Sequence, residues 1–330
     1  MTYRVRVLLL SLAIGVLTLT WLIGVVGRTG RSAPIGAGIP LVAPEALASV
    51  TTVEINGAEV VRLERDNGEN GSGRWWIALD ERLLPARESR VGEFLQTLGE
   101  QETEDRVAVS PAGWSQFGVD EPITVRLFDR ADRDVAELFF GRRSDTGRGG
   151  FLRFDSGPEV YRVGDAPFFA LERSTVFWSD LRLLPPGLSE DRVAAVRIQS
   201  DIGDLNALSR RFTYGLVRGS GGEWMVDGPT GRAPAQPTRA RELVTAILAL
   251  EGSRFAAAEQ TVVPVDRAII DVHLFDGRRY TLTIEAVGER LWIQPTGEGG
   301  PVDREGRPVR FEFAPWNAER VLRPLEDLAE

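Results

Sequence analysis

Apolar and polar residues alternate along several short segments of the chain, which is the pattern of half-buried β-strands. Residues 53–55 (Val-Glu-Ile) and 196–198 (Val-Arg-Ile) are two examples. Residues 56–57 (Asn-Gly) and 276–277 (Asp-Gly) adjoin such segments and predict type I′ hairpin turns, because both residue types adopt positive φ at low cost. The alternation and the turns together predict antiparallel sheets.

Two longer segments have a helical pattern instead. Their apolar residues recur at i, i+4 and i+7, as Val91, Leu95 and Leu98 in the first and Leu243, Ile247 and Leu250 in the second. This spacing gives each helix one apolar stripe, which we expect to pack on a sheet.

These elements occur twice in the same order. The matched pairs are 49–55 with 192–198, 73–77 with 222–226, 87–98 with 239–250, 123–129 with 270–276, and 166–173 with 314–320. A conserved order over so long a span is not expected by chance, and repeats at a fixed distance indicate duplicated structural units. We therefore predict an α+β fold of two tandem repeats, 48–186 and 187–330. Each is an antiparallel β-sheet domain with one crossing helix and one terminal helix, and 184–187 (Leu-Pro-Pro-Gly) is the boundary.

The N-terminal region predicts a membrane anchor. Residues 7–27 are uncharged, and a run of about 20 apolar residues spans a bilayer as a helix. A cleaved signal peptide is the alternative, but its apolar core is shorter, about 7–15 residues. We predict an uncleaved anchor over 1–28, followed by a flexible tether over 29–47.

The orientation of this anchor follows less directly, because Arg28 and Arg31 offset Arg4 and Arg6 under the positive-inside rule. An anchor with its N-terminus inside and its C-terminal bulk exported is the common outcome. We therefore expect a single-pass protein of the cytoplasmic (inner) membrane whose bulk is periplasmic.

The amino-acid composition excludes several partners and several kinds of catalysis. The net charge is −9 and the pI about 5.0, although residues 1–31 contain four Arg and no acid. The acidic remainder repels phosphate backbones, so no nucleic-acid partner is expected. There is no Cys and no Lys, which excludes thiol catalysis, disulfides, Schiff-base lysines and the P-loop lysine.

The remaining candidate residues favour no catalytic site. The single histidine, His273, lies on a predicted strand where the other repeat has Arg126, so we expect a solvated strand residue. Acids cluster at 102–105 and 326–327, but a glycosidase needs two acids facing one sugar across a cleft. The 201–204 pair falls short of an EF-hand loop. We predict no catalytic residue, no cofactor-binding residue and no metal ligand.

Glycine and tryptophan positions give two further expectations. Residues 141–150 (GRRSDTGRGG) superficially resemble a phosphate-binding loop, but they lie between predicted strands and favour a hairpin loop. Trp75 and Trp224 recur in both repeats and are expected in the cores. For three Trp near loops or helix starts we favour buried packing over an interface role: Trp114, Trp178 and Trp316.

The order of these motifs also resembles a known family. A W-x-apolar strand precedes Pro and a helix, then FGVDEP at 117–122, a strand hairpin, and the pair FLRFDSGPEVYRV at 151–163. This order resembles the bacterial domain-of-unknown-function family numbered 4340, well over 48–186 and more weakly over the second repeat, where 264–268 (PVDRA) replaces FGVDEP. The resemblance implies a membrane-anchored protein, often encoded beside ABC transporters of the gliding-motility type, and it implies no particular reaction.

Two functions follow as expectations. The favoured one is a non-catalytic accessory or scaffold protein of the cell envelope. Its partners would be a membrane protein, possibly components of an ABC transporter, and the lipid bilayer through the N-terminal helix. The alternative is a glycan-binding or glycan-cleaving envelope protein that uses acidic residues and an exposed Trp. A Trp at the mouth of a cleft with two acids about 5–10 Å apart would favour the alternative.

The anchor gives the first testable prediction. The protein should stay in the membrane fraction after an alkaline wash, because about 20 apolar residues hold a helix in the bilayer without electrostatic help. External protease should digest its bulk once any outer barrier is opened. Recovery of a soluble mature form that starts near residue 35 would contradict the anchor.

Overall fold

The computed structural model describes residues 38–66, 73–202, 210–256, 266–287 and 290–328. The strands of the first repeat are β1 Val50–Asn56, β2 Val60–Arg65, β3 Trp75–Leu79, β4 Arg82–Pro85, β5 Thr103–Ala108, β6 Ile123–Asp129, β7 Asp134–Arg143, β8 Gly150–Phe154 and β9 Val160–Val163. Those of the second are β10 Val193–Ile202, β11 Arg210–Arg218, β12 Trp224–Gly228, β13 Gly231–Pro234, β14 Arg254–Phe255, β15 Asp266–Leu274, β16 Arg279–Val287, β17 Arg290–Gly297 and β18 Phe311–Phe313.

The helices are few and mostly short. In chain order they are α1 Pro44–Leu47, α2 Glu88–Glu100, α3 Trp114–Phe117, α4 Ala166–Leu171, α5 Thr175–Trp178, α6 Pro237–Leu248 and α7 Pro315–Val321. Three-residue 3₁₀ turns occur at Pro111–Gly113, Glu190–Arg192 and Leu325–Asp327. The α+β class is therefore confirmed.

The two sheets have the same topology. The first has nine strands in the order β4-β3-β2-β1-β6-β7-β8-β9-β5, and the second has nine in the order β13-β12-β11-β10-β15-β16-β17-β18-β14. One order becomes the other when nine is added to each strand number. In both, a long helix crosses between the fourth and fifth strands, and a short helix follows the last strand of the repeat. Such agreement confirms that the chain contains two copies of one β-rich fold.

Equivalent residues have equivalent partners. Trp75 pairs with Arg65 on the neighbouring strand, as Trp224 pairs with Arg218. Each of these arginines lies over the ring of its tryptophan, at 5.8 Å and 4.4 Å from guanidinium carbon to ring centroid. The two rings are 6% and 5% exposed, so both tryptophans are core residues as predicted.

The strands form because their alternation separates a buried from an open face. On β15, Ile270, Val272 and Leu274 are buried while the residues between them are only partly covered. The strand β16 shows the same period of two over its whole length. Successive side chains of a strand point to opposite faces, so the apolar side chains of β15 and β16 lie on one face of the sheet. That face is the buried one.

The predicted helix stripes are mostly confirmed. Leu243, Ile247 and Leu250 are all buried. On α2 the buried positions include Val91 and Leu98, but Phe94 is buried between them, whereas Leu95 is only half-buried.

The hairpins form where they were predicted, but their turns differ from type I′. That type needs positive φ at both central residues. Of the four residues concerned, Gly277 alone has positive φ, at +89°. The connections are also longer than two residues, since three residues separate β1 from β2 and four separate β15 from β16. The turn prediction was therefore wrong in type, because longer loops do not need the two-residue geometry.

Packing divides the chain differently from the repeats. One compact unit contains the described residues up to Val50 together with Phe94–Glu172, and the other contains Thr51–Glu93 and Arg173–Glu330. The strands β2 to β4 therefore belong to the same compact unit as the whole second sheet.

The region assigned to the tether is partly structured. Residues 29–37 lie outside the described residues, but Leu41 and Val42 are buried in the first unit. Their backbone N–H groups donate to the carbonyls of Gln101 and Leu98, at 3.0 and 3.2 Å. Residues 38–47 thus pack as part of that unit, because two apolar side chains follow the Gly-rich stretch.

The predicted anchor, residues 1–28, lies outside the described residues. Within the residues that the structure describes, none of the helices has the length and apolar character needed to cross a bilayer.

The buried tryptophans give the second prediction. Trp75→Ala and Trp224→Ala should each lower the free energy of unfolding by about 3–5 kcal/mol, because each leaves a large cavity. Urea titration followed by circular dichroism measures both. Phe275→Ala is the matched control, since this ring is 66% exposed and its loss should change little. A Trp variant as stable as the control would contradict the equivalence of the two cores.

Candidate functional site

The most buried charge in the described chain belongs to Asp303, in the loop between β17 and β18. Its side chain is 0% exposed. Oδ2 accepts hydrogen bonds from Arg82 Nη2 at 2.8 Å and Nε at 3.1 Å, and from Arg307 Nε at 2.7 Å. Oδ1 accepts the backbone N–H of Arg307 at 2.8 Å. Four donors therefore surround one carboxylate.

These donors decide its protonation. Burial opposes ionisation of Asp303, but the backbone N–H of Arg307 and the guanidinium groups of Arg82 and Arg307 outweigh burial and hold its pKa below the ordinary value. A buried carboxylate without such partners would take up a proton instead. The group is thus an anion fixed in place by two arginines.

Arg304 extends the same contact. Its backbone N–H donates to the carbonyl of Leu83 at 3.0 Å, and its guanidinium reaches Glu64 at 3.2 Å and Asp66 at 3.0 Å. We call Arg82, Asp303, Arg304 and Arg307 the Asp303 cluster. It joins β2 and β4 of the first repeat to a loop of the second, inside one compact unit.

A cleft of about 310 Å³ lies in the same unit. Its walls come from the β3–β4 turn, the start of α5 and the edge strand β14. Two acids line it, Glu59 and Asp80. Glu59 accepts the backbone N–H of Thr175 at 2.8 Å, while Asp80 lies in the turn with φ 52°, a left-handed conformation. No tryptophan is among the described residues that line this cleft.

A second groove of about 310 Å³ surrounds Trp316, at the start of α7. We call it the Trp316 groove, and its lining consists of Ser253, Arg254, Arg290, Leu291 and residues 312–316. The Trp316 ring is 65% exposed. Arg254 and Glu312 form an ion pair on neighbouring strands. Within the described part of the chain, the Arg290 guanidinium has no ion pair or hydrogen bond.

The repeat reveals how unusual Trp316 is. Its counterpart in the first repeat is Phe168, the third residue of the matched segments 166–173 and 314–320. Phe168 is 1% exposed and packs edge-on against Phe140, with 5.5 Å between ring centroids. One copy thus uses the aromatic residue as core, and the other presents it to solvent. The preference for buried packing was wrong for Trp316, because sequence does not show which way a helix start faces.

The other two tryptophans near loops are covered. Trp178 is 0% exposed. Trp114 is half-buried, with the Arg153 guanidinium 4.3 Å from its ring centroid, and its indole N–H donates to the carbonyl of Pro158 at 2.9 Å. The prediction of buried packing is therefore confirmed for Trp178 and confirmed in part for Trp114.

The glycine-rich segment 141–150 forms a hairpin, as predicted, because its residues 144–149 are the loop between the paired strands β7 and β8. Its polar groups satisfy each other: Ser144 N–H donates to the Gly149 carbonyl at 2.9 Å, and Gly147 N–H donates to the Ser144 carbonyl at 2.9 Å. An open depression of about 880 Å³ adjoins it in the first unit, with cations and acids mixed on its walls. That mixture favours no single ligand charge.

The FGVDEP motif has a packing role. Gly118 ends α3 with φ +68°, a conformation that suits glycine at a helix C-terminus. Val119 is buried in a cluster with Phe151 and Val160, and the ring of Phe117 lies 4.7 Å from that of Phe151. Two residues of the motif, Phe117 and Val119, therefore contribute to the core of the first unit.

His273 and the acidic clusters lie where solvent reaches them. His273 is half-buried on β15, and its cross-strand neighbours are Ala195 and Arg279. Glu102, Glu104 and Glu326 are exposed. Asp204, the second acid of the 201–204 pair, lies outside the described residues. In the described part of the chain, no group of three His, Asp or Glu is arranged to hold a metal ion.

Comparison with protein families gives one match. The family model "Domain of unknown function (DUF4340)" matches residues 75–267. The matched region begins in β3 and ends in β15, so it extends further into the second repeat than the motifs suggested and omits 48–74. Comparisons with curated proteins and with solved structures gave no match.

The Asp303 cluster gives the third prediction. Asp303→Asn should lower the free energy of unfolding by about 3 kcal/mol near neutral pH, because it leaves Arg82 largely buried beside a neutral group. The lowered pKa fixes the pH window. This stabilisation is complete above the unfolded pKa of about 4 and is lost as pH falls through the lower folded value. Urea titrations from neutral to acid pH should show the two proteins converging.

Asp276→Asn is the matched control. Hydrogen bonds from Arg278 lower the pKa of Asp276 to about 2, yet its side chain is 41% exposed in a turn. Water screens that pair, so its loss should leave stability unchanged. A gap between wild type and Asp303→Asn that stays constant down to acid pH would contradict our account of the cluster.

Proposed function

The chain belongs to the DUF4340 family, and we propose that it is a non-catalytic, membrane-anchored protein of the cell envelope that acts as an accessory or scaffold. An ABC transporter system is the partner that the family resemblance implies. In this proposal the N-terminal helix holds the chain in the inner membrane, and the two repeats engage a membrane protein on the periplasmic side.

The observation that carries this proposal is the Asp303 cluster. It joins β2 and β4 of the first repeat to the loop Asp303–Arg307 of the second through a buried carboxylate. A buried ion pair adds little net stability but is costly to break, so it opposes separation of the segments that it joins. Strands from both repeats are therefore held in one compact unit, and a fixed framework of this kind suits a protein that must present one composite surface.

The surroundings of His273 support a function without proton transfer. A serine-type triad needs a histidine in contact with both a nucleophile and an orienting acid. The cross-strand neighbours of His273 are Ala195 and Arg279, and the first repeat has the exposed Arg126 at the same position. A polar side chain without an imidazole is therefore compatible with this strand position.

The alternative function, glycan binding or cleavage, rests on the exposed ring of Trp316. Sugars stack on such rings, and cleavage would also need two free acids near the ring. In the described chain the exposed Trp and the acid pair lie in different depressions. Glu59 and Asp80 line the cleft without Trp, whereas Glu312, the acid beside Trp316, is paired with Arg254. The arrangement favours binding over cleavage.

Co-purification from native membranes gives the fourth prediction. After mild crosslinking, the tagged full chain should recover the same membrane protein in wild-type and His273→Ala forms, because no proton transfer depends on the imidazole. Removal of Met1 to Gly27 should lower that recovery by at least about tenfold, because the anchor supplies effective concentration at the membrane. Mass spectrometry identifies and quantifies the partner.

Two results would overturn the proposal. One is turnover of a glycan or an ester by the purified chain. The other is equal partner recovery, or full function in cells, from the version that lacks the anchor.

A further inference from the structure

The Trp316 groove combines two features that isolated surface residues lack. Its floor is apolar, formed by Leu291, Phe313 and Ala314, which are each 5% exposed or less. Its mouth carries a Trp ring that is 65% exposed. Tryptophan and arginine are the residues most enriched at binding hot spots, especially beside pockets that exclude water.

The fold does not need this ring to be exposed. At the equivalent helix start in the first repeat, Phe168 turns inward and is 1% exposed. Both rings follow a proline, Pro167 or Pro315, but α4 begins at Ala166 after a helical Asp165, whereas α7 begins at Pro315 after an extended Ala314. The backbone of the two helix starts therefore differs. The first repeat exposes the next residue of its helix, Phe169, at 54%. The groove beside Trp316, and not ring exposure by itself, therefore indicates a surface with a use of its own.

The described residues of the groove carry a positive charge, whereas the whole protein is negatively charged. Two guanidinium groups, Arg254 and Arg290, line it together with one carboxylate, Glu312, among its described residues. Among the residues that the structure describes, Arg254 and Glu312 pair with each other, and Arg290 has no such partner. The described lining residues therefore carry an excess of positive charge in a chain of net charge −9. A ligand with a carboxylate beside an apolar group would complement both the cation and the floor.

We propose that the Trp316 groove docks a segment of a partner protein in which an apolar side chain adjoins a carboxylate side chain. The apolar side chain enters the groove against Trp316 and Phe313, and the carboxylate pairs with Arg290. This proposal rests on the proposed function, because it assigns the surface through which an accessory or scaffold protein holds its partner.

The lining favours a protein segment over a neutral glycan. A sugar ring needs several hydrogen-bonding partners around the stacking ring. The lining offers Ser253 and Arg290, but Arg254 and Glu312 already pair with each other and the floor is apolar. A neutral glycan would also leave Arg290 without a counter-charge. An acidic, apolar segment satisfies both groups at once.

Synthetic peptides test the proposal on the full chain in lipid nanodiscs, with empty nanodiscs as the blank. The probe is a peptide of alternating Leu and Glu that carries an uncharged fluorophore and is blocked at both ends, so that its side chains alone carry charge. Fluorescence anisotropy should give a dissociation constant below about 1 mM. Trp316→Ala should weaken binding at least about tenfold.

A double-mutant cycle tests the charge pair. Arg290→Gln should weaken binding of the Leu-Glu peptide several-fold, and a Leu-Gln peptide should bind wild type as weakly. Combining both changes should cause no further loss, because they remove the same contact. Two controls should bind like wild type: Phe275→Ala removes an exposed ring elsewhere, and Arg279→Gln removes an exposed arginine of β16.

Four outcomes would overturn the docking site. They are no binding of the Leu-Glu peptide up to about 1 mM, equal binding by Trp316→Ala, displacement of the peptide by a lower concentration of N-acetylglucosamine tetramer, or a lower urea midpoint in free Trp316→Ala. The third would identify a glycan as the occupant, and the fourth would show that the chain itself covers the ring. If the peptide fails while the anchored chain still recovers its membrane partner, this surface is wrong and the proposed function stands.

Discussion

A carboxylate without exposure to water imposes the strongest constraint on this protein. Transfer of an unpaired carboxylate from water into a protein interior costs several kcal/mol even after relaxation. Asp303 therefore requires its partners, and they come from different repeats: Arg82 lies on β4 and Arg307 lies in the same loop as the acid. If β4 moved away from this loop, the carboxylate would lose two of its four donors, so the pair specifies the placement of β2 to β4. This explains why those strands pack with the second sheet although the sequence assigns them to the first repeat.

Duplication gave the protein two versions of each element, and the two versions differ in use. Trp75 and Trp224 keep the same neighbour and the same burial, so this part of both sheets serves the core. Phe168 and Trp316 lie near the starts of corresponding helices but face opposite environments. Because both copies share one fold, such differences point to function more directly than exposure alone. The Trp316 groove and the Asp303 cluster both lie in the compact unit that contains the second sheet.

Local patterns predicted the fold well, because they depend on residues close in sequence. Alternation located strands such as β1 and β15, the i, i+4, i+7 spacing located α6, and the order of the matched segments identified the repeat before any topology was known. The turn type failed because loop length, which depends on where strand pairing ends, decides it. The compact units divide the chain differently from the repeats, because repeats follow the order of the chain and packing does not.

The candidate sites were less predictable for a related reason. Asp303 and Arg82 are 221 residues apart, and the loop around Asp303 has the Gly, Pro and charged residues of any exposed turn. No local signal separates a buried acid in such a loop from a solvated one. Trp316 did carry a signal, its alignment with Phe168. An aromatic residue at the same position in both copies predicts a core position, however, and the sequence does not show that one copy exposes its ring.

We infer that β2 to β4 form one cooperative structure with the second sheet. Native-state hydrogen exchange tests it directly, because backbone amides that share an opening step exchange with the same free energy. We predict that the amides of β3 and β4, and the Arg304 amide that donates to Leu83, exchange in one step with those of β15 and β16. Exchange of β3 and β4 together with β6 to β9, at a free energy different from that of the second sheet, would contradict it.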